Sequence, residues 1–191
     1  MRKLVYYVGV SLDGVIAGPQ GQADFFGMSD EIVAWIAERY PDTLPTHLRE
    51  HFGLPLDGPN VEFDAVVMGR GTYEPGLAIG VESPYNHLKQ YVFSNTLAPV
   101  DNPQVDIVSG DPVELVRRLK KEEGKDIWLC GGGSLAGQLV DEIDQLVLKS
   151  YPVIAGAGIP LFSGEFSPAR FTVTERREFA SGERVTWLDR A

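Results

Sequence analysis

The chain has 191 residues, a length that fits one domain, residues 1–191, with a full apolar core. Hydrophobic residues make up 43% and charged residues 23%, which excludes a disordered or fibrous chain. Seventeen basic against 27 acidic residues leave a net charge of −10, which argues against nucleic acid or an anionic membrane as a partner.

Arg2-Lys3 ahead of the apolar residues 4–12 has the outline of a signal peptide. The run is short, is broken by Gly9 and Ser11, and ends at Asp13, so it reads as a first strand over residues 4–10. No run approaches the 18 apolar residues of a membrane span. Ser11-Leu12-Asp13-Gly14 ends the strand and opens a loop to Gly21. Ser29 offers an N-cap to a helix carrying Ile32, Val33, Ile36 and Tyr40 at helical spacing, stopped by Pro41. Four prolines between 41 and 60 predict an irregular excursion with a short helix around 46–52. Residues 65–68, 91–94 and 105–108 read as short apolar strands. Asp111-Pro112-Val113-Glu114 is a helix start with a cap, a proline at the first position and an acid reaching back. Arg117, Arg118, Lys120 and Lys121 read as a solvated face of that helix, which Gly124 ends. Residues 127–130 form the next strand, Leu135 to Ile143 the next helix, and 146–151 another strand. Residues 171–179 and 184–188 make a terminal antiparallel hairpin about Ser181-Gly182. Strands alternating with helices and closed by a hairpin predict an α/β fold with a mainly parallel sheet and an antiparallel edge.

Two strand-to-helix turns carry the chemistry. Gly131-Gly132-Gly133-Ser134 lets the backbone approach a ligand, and free N–H groups at a helix start suit a pyrophosphate. Gly69-Arg70-Gly71-Thr72-Tyr73 adds a planar guanidinium to the same arrangement. Open α/β sheets bind ligands beyond the carboxyl ends of their strands, so the two turns together point to a nucleotide. Neither G-x-G-x-x-G, a Walker loop nor G-x-S-x-G occurs. His47-Leu48-Arg49-Glu50-His51 spells H-x-x-E-H, but Pro45 and Gly53 leave barely two turns and no third ligand is evident. The single cysteine, Cys130, excludes an internal disulfide and a multi-thiolate zinc site; it suits a reducing cytoplasm and reads as a buried, inert thiol. Trp35 on the first helix is either core or the wall of a planar ligand's site.

Residues 11–18 (SLDGVIAG), 67–74 (VMGRGTYE), 91–95 (YVFSN) and 128–135 (WLCGGGSL) occur in an order that resembles the dihydrofolate reductase-like superfamily. Residues 151–162 (YPVIAGAGIPLF) resemble the branch of stand-alone relatives of the reductase half of the riboflavin-pathway deaminase-reductase. The resemblance implies a sheet of about eight strands flanked by helices, with NADPH as hydride donor. It implies that Gly69, Arg70, Gly71 and Thr72 hold cofactor phosphates, with Arg70 near the 2′-phosphate. Ser94 and Asn95 would lie by the adenosine, Gly131, Gly132, Gly133, Ser134 and Leu135 by the pyrophosphate, and Ile16 and Ala17 along the nicotinamide. It also implies a homodimer. Asp13 is read as fixing its turn. The chain departs from the family at three places. The carboxylate that binds pterin in true dihydrofolate reductases has no match, Cys130 stands where the riboflavin-pathway reductase has a Glu, and the zinc-binding deaminase half is missing.

The expectation is therefore a cytoplasmic, NADPH-dependent reductase of a small heterocyclic or sugar-derived substrate. Asp24 is the candidate for substrate contact or proton relay, and Phe25 and Trp35 are candidates for substrate binding. The alternatives are a true dihydrofolate reductase, a catalytically silent NADPH-binding protein and a dimeric interaction domain.

Overall fold

The computed structural model describes residues 1–191. Ten strands and four helices follow in chain order: β1 (Leu4–Val10), β2 (Val15–Ala17), α1 (Asp30–Arg39), β3 (Phe63–Gly69), α2 (Arg70–Ala78), β4 (Lys89–Phe93), β5 (Val105–Val108), α3 (Pro112–Leu119), β6 (Asp126–Gly131), α4 (Gly133–Gln138), β7 (Gln145–Ser150), β8 (Ile159–Pro160), β9 (Phe171–Glu178) and β10 (Arg184–Arg190). Eight strands form one sheet in the order β5-β4-β3-β6-β1-β7-β10-β9, parallel from β5 to β7 and antiparallel at β10 and β9. The sheet takes strands from both ends of the chain. β2 and β8 pair separately, a two-stranded feature the sequence reading did not contain.

β1 lies at the centre, and six of its seven residues are buried because both of its faces are covered. Val5 and Tyr7 face α1 in an aromatic core with Trp35, Tyr40, Phe63, Trp128 and Trp187. Leu4, Tyr6 and Val8 face α3 and α4 in an aliphatic core with Leu115, Leu119, Leu135 and Leu139. The outer strand β9 is exposed from Thr172 to Glu178, and its run Glu175-Arg176-Arg177-Glu178 guards the open edge with charge.

Caps set the helix ends. The Ser29 side chain accepts from Ile32 N, and the Asp111 carboxylate accepts from Val113 N at 2.8 Å. α3 ends at Leu119, five residues before Gly124. Its basic residues are not simply solvated: Lys120 is 8% exposed and pairs with Asp144 at 2.7 Å, while Arg117 pairs with Glu142. The helix expected from Leu135 to Ile143 stops at Gln138 and gives way to a 3-10 turn at Val140–Glu142.

Two buried ions hold the proline-rich excursion. The Asp42 carboxylate, wholly buried, accepts backbone N–H groups of Val61, Glu62 and Phe63. Arg49, 2% exposed, donates to the carbonyls of Pro41 and Pro55. The Thr46–Phe52 segment is 3-10, at three residues per turn, so His47 and His51 do not share a face.

Candidate active site

The chain runs outward from β1 to β3, β4 and β5, then returns to insert β6 between β3 and β1. Where strand order reverses, the loops beyond neighbouring strands splay apart and leave a crevice. A cleft of about 580 Å³ opens there, a size suited to a small ligand or cofactor. Gly69–Thr72 comes from the β3–α2 turn, Phe93–Asn95 from the end of β4, and Cys130–Leu135 from the β6–α4 turn. Ile16, Ala17 and Ile159, from the small β2–β8 sheet, close the side nearest β1.

The glycines of the two turns fall into two kinds. A Cβ on Gly133 would lie 2.2 Å from the carbonyl of Pro160, so that glycine is demanded by packing. Gly71 and Gly132 are different. A Cβ on Gly71 would meet nothing within 4 Å, and one on Gly132 would meet only Thr72 Oγ1 at 4.0 Å. Neither residue has a positive φ. Their missing side chains leave room in the cleft that no other part of the protein fills. Gly131 does require glycine through its φ of 140°, and its peptide to Gly132 is cis.

Arg70 begins α2 at the rim of the cleft. Its Nε donates to Glu74 at 2.6 Å and its Nη1 donates to Thr96 Oγ1 at 2.6 Å. The guanidinium is thereby held between α2 and the turn after β4, with half of the side chain exposed. Ser94 lines the cleft, but its hydroxyl oxygen accepts the amides of Thr96 and Leu97, which makes it the hinge of that turn. Asn95 beside it is exposed.

Asp13 reaches the loop on the other side of β1. Its carboxylate accepts from Ser11 Oγ at 2.6 Å, Ala155 N at 3.0 Å and Gly156 N at 2.7 Å, and these three donors hold it down at about 2. The turn and the loop after Tyr151 are thus tied together. Cys130 lines the cleft at the end of β6, and burial pushes its thiol up to about 12, so it is protonated at neutral pH.

The thirteen residues assigned to a cofactor from the sequence all border this one cleft. The substrate candidates do not. Asp24 is exposed at the start of a 3-10 turn, where its carboxylate has no ion pair or hydrogen bond. Phe25 packs on Phe26 with ring centroids 4.3 Å apart, and it is Phe26 that goes on to stack on Tyr151 at 4.7 Å. Trp35 is 6% exposed and enclosed by Tyr40, Phe179 and Trp187, so it is a core residue and no ligand wall. The sequence reading missed Gly110, Gln138 and Ile159 in the cleft, none of which carries a local signal.

The cradle fits an extended phosphate-bearing cofactor: open glycine positions on two turns, an Arg held at the rim and a hydrophobic side made by Ile16 and Ile159. Known proteins share the sequence pattern and the fold. The chain is 28% identical over 189 residues to the uncharacterized protein YwjB of Bacillus subtilis, covering 98% of each. Its fold matches a putative riboflavin biosynthesis protein from Shewanella sp. PV-4 with a TM-score of 0.70, 25% identity and 100% and 99% of the two chains covered. It also matches a Thermotoga maritima diaminohydroxyphosphoribosylaminopyrimidine deaminase/5-amino-6-(5-phosphoribosylamino)uracil reductase at TM-score 0.67 and 19% identity, with all of this chain on 57% of that one. An Enterococcus faecalis dihydrofolate reductase complexed with NADP(H) matches at TM-score 0.65 and 13% identity, over 98% of this chain and 96% of the other. These last two likenesses establish the dihydrofolate reductase-like fold. The model of the RibD C-terminal domain matches residues 2–185, nearly the whole length, and the chain belongs to that family.

Proposed function

We propose that the protein is a reductase that draws on NADPH and acts on a small heterocyclic or sugar-derived substrate of the riboflavin-pathway kind. The observation that carries this reading is the glycine-walled cleft, where Gly71 and Gly132 leave space that no side chain claims beside the anchored Arg70. In this reading Gly69–Thr72 and Gly131–Leu135 hold the phosphates through backbone N–H groups. Arg70 takes the 2′-phosphate with the guanidinium face left free by Glu74 and Thr96. Asn95 and the Ser94 turn border the adenosine, and Ile16 and Ala17 lie along the nicotinamide. Bound NADPH supplies a hydride; the protein supplies position, exclusion of water and a proton. We take the assembly to be a homodimer, which light scattering behind size exclusion reads directly.

Fluorescence titration with NADPH, run beside NADH, tests the cofactor. Saturable binding that favours NADPH, with the preference lost in Arg70→Ala, is expected. Binding to neither overturns the reading. Turnover of 5-amino-6-(5-phosphoribosylamino)uracil, beside dihydrofolate, separates the riboflavin-pathway substrate from a true dihydrofolate reductase. NADPH binding without oxidation by either would favour the silent binding protein.

A further inference from the structure

Lys149 occupies an inward position of β7, and no counter-ion accompanies its charge. Its neighbours two residues away on either side, Val147 and Tyr151, are both buried in the aromatic core that faces α1. Strand alternation puts Lys149 on that face. Its register partners are Gly9 on β1 and Val185 on β10. The ammonium lies 4.0 Å over the Tyr7 ring, with no ion pair and no hydrogen bond. Two other lysines have counter-ions: Lys89 pairs with Asp106 and Lys120 with Asp144. Glu183, the buried carboxylate of the hairpin, is committed to Ser29 N and the Ser181 hydroxyl. A desolvated cation without a counter-ion is costly, so its retention calls for a use.

The surroundings suggest that use. Across β1 lies Cys130, whose thiol is close enough to bear on the charge of Lys149 and which itself borders the cofactor cleft. Tyr85 meets the same thiol from the loop before β4. Phe26 and Tyr151 stack above, and Gly9 presents no side chain between β6 and β7. A Cβ on Gly9 would lie 3.1 Å from Tyr151 and 3.6 Å from Phe26. The sheet thus carries a glycine-walled cleft at its strand ends and, behind Cys130, one unpaired ammonium among packed aromatic rings.

We propose that Lys149 is a catalytic residue on the substrate side: its ammonium hydrogen-bonds the oxygen or nitrogen of the C=O or C=N being reduced and gives it a proton. This rests on the reductase reading above. The substrate carbon gains a C–H bond from the hydride of NADPH, and the π pair moves to the heteroatom. There it forms an O–H or N–H bond as one N–H bond of Lys149 breaks. Water then returns a proton to the neutral amine, and NADP⁺ and the reduced product leave. The substrate class follows from the same contacts: a flat carbonyl or imine compound, uncharged or anionic at the reacting end, since a cation there would meet the ammonium. Burial lowers Lys149 to about 8, close to neutral pH, where a proton donor works best. The titratable groups facing it are Tyr7 from β1, Cys130 from β6, Tyr85 from the loop before β4 and Tyr151 after β7; the charged Glu183 approaches Tyr151 from the hairpin.

The test is reductive methylation with ¹³C-formaldehyde at pH 7.5, read by NMR and peptide mass spectrometry, with Lys149→Met to assign the signal. Lys149 is expected to react, to titrate well below the ordinary lysine range, and to be slowed at least fivefold by saturating NADPH while the exposed Lys3 and Lys121 are not. A Lys149 that is unreactive, titrates in the ordinary lysine range or is unprotected overturns the assignment. In Lys149→Met, NADPH affinity is expected within twofold of the parent. Single-turnover NADPH oxidation by the pyrimidine is expected to fall by about 100-fold or more. Undiminished oxidation also overturns the assignment, whereas a parent that fails to bind NADPH sinks the reductase reading itself.

Discussion

Replacing Lys149 with Met should stabilise the protein, and by an amount that pH controls. The methionine keeps an unbranched stem of similar length and removes the charge. In the folded chain the ammonium is held at about 8, against about 10.4 for an unperturbed lysine, so charging it there is harder by about 3 kcal/mol. The folded value lies below the unfolded one. Between the two, the unfolded chain binds more protons, and the stability of the parent rises with pH. Below pH 8 the amine is charged in both states, and the whole penalty stands. The variant should therefore be more stable by about 2–3 kcal/mol at pH 7, with the gap closing to less than about 1 kcal/mol near pH 10.5. Urea unfolding followed by tryptophan fluorescence measures it, since Trp35, Trp128 and Trp187 are all buried. Buried Tyr6, on the opposite face of the sheet, titrates above its usual range and weakens both proteins in alkali, an effect that cancels in the difference. A Lys149→Met protein no more stable than its parent at pH 7, or a gap that ignores pH, would refute the claim that the cation is uncompensated. A stability gain joined to lost turnover would mark Lys149 as a group kept for function against the interest of the fold.

Gly71→Ala should raise stability by about 0.5–1 kcal/mol, as alanine does within helices, yet weaken NADPH binding, because its Cβ enters the cleft; unchanged affinity in titration would make the glycine incidental. Arg70→Ala should lose about 1.5–3 kcal/mol of NADPH affinity with little effect on NADH, measured by the same titration. Asp42→Ala should cost about 3 kcal/mol or more in urea unfolding, because three N–H groups at the start of β3 lose their acceptor; a loss below about 1 kcal/mol would mean that water replaces the carboxylate. The Asp13 carboxyl titrates lower folded than unfolded, so its tie to the 155–156 amides holds above pH 4 and is lost as pH falls through about 2. Asp13→Asn should speed amide exchange at residues 153–158 near neutral pH while leaving β1 unchanged, as hydrogen-exchange mass spectrometry would resolve.

What the sequence disclosed and what it hid divide along a physical line. Backbone requirements are local. The apolar runs of β1, β3 and β6, the caps Ser29 and Asp111, and the glycines after β3 and β6 depend on residues within a few positions of one another, and they placed the cleft. The pairing of β2 with β8 joins residues some 140 positions apart through only two or three residues each, too short for any periodicity to show. The helix expected to reach Ile143 stops at Gln138, and Gly137 within it leaves no room for a side chain beside the carbonyl of Ser163, a contact with no trace in the local pattern.

The substrate side proposed at Lys149 was hidden for the same reason, and its one legible sign was a conflict. Asp24 and Phe25 stand out in the sequence because an acid beside aromatic residues in a loop is conspicuous in one dimension. The fold turns Asp24 to solvent and sends Phe26 inward instead. Lys149, by contrast, sits between Val147 and Tyr151 at the inward phase of a strand, where a lysine contradicts the pattern around it. Local preference and global fold agree almost everywhere along this chain, so a residue that breaks the agreement without gaining a partner is unlike its surroundings in kind. The cleft glycines make the same point in reverse: Gly71 gives up helix stability and fills no steric need of the protein. Gly71 lies in the cleft beside the rim at Arg70, and Lys149 lies behind Cys130, which borders the same cleft. A fold optimised only for its own stability would have placed alanine at 71 and an aliphatic residue at 149.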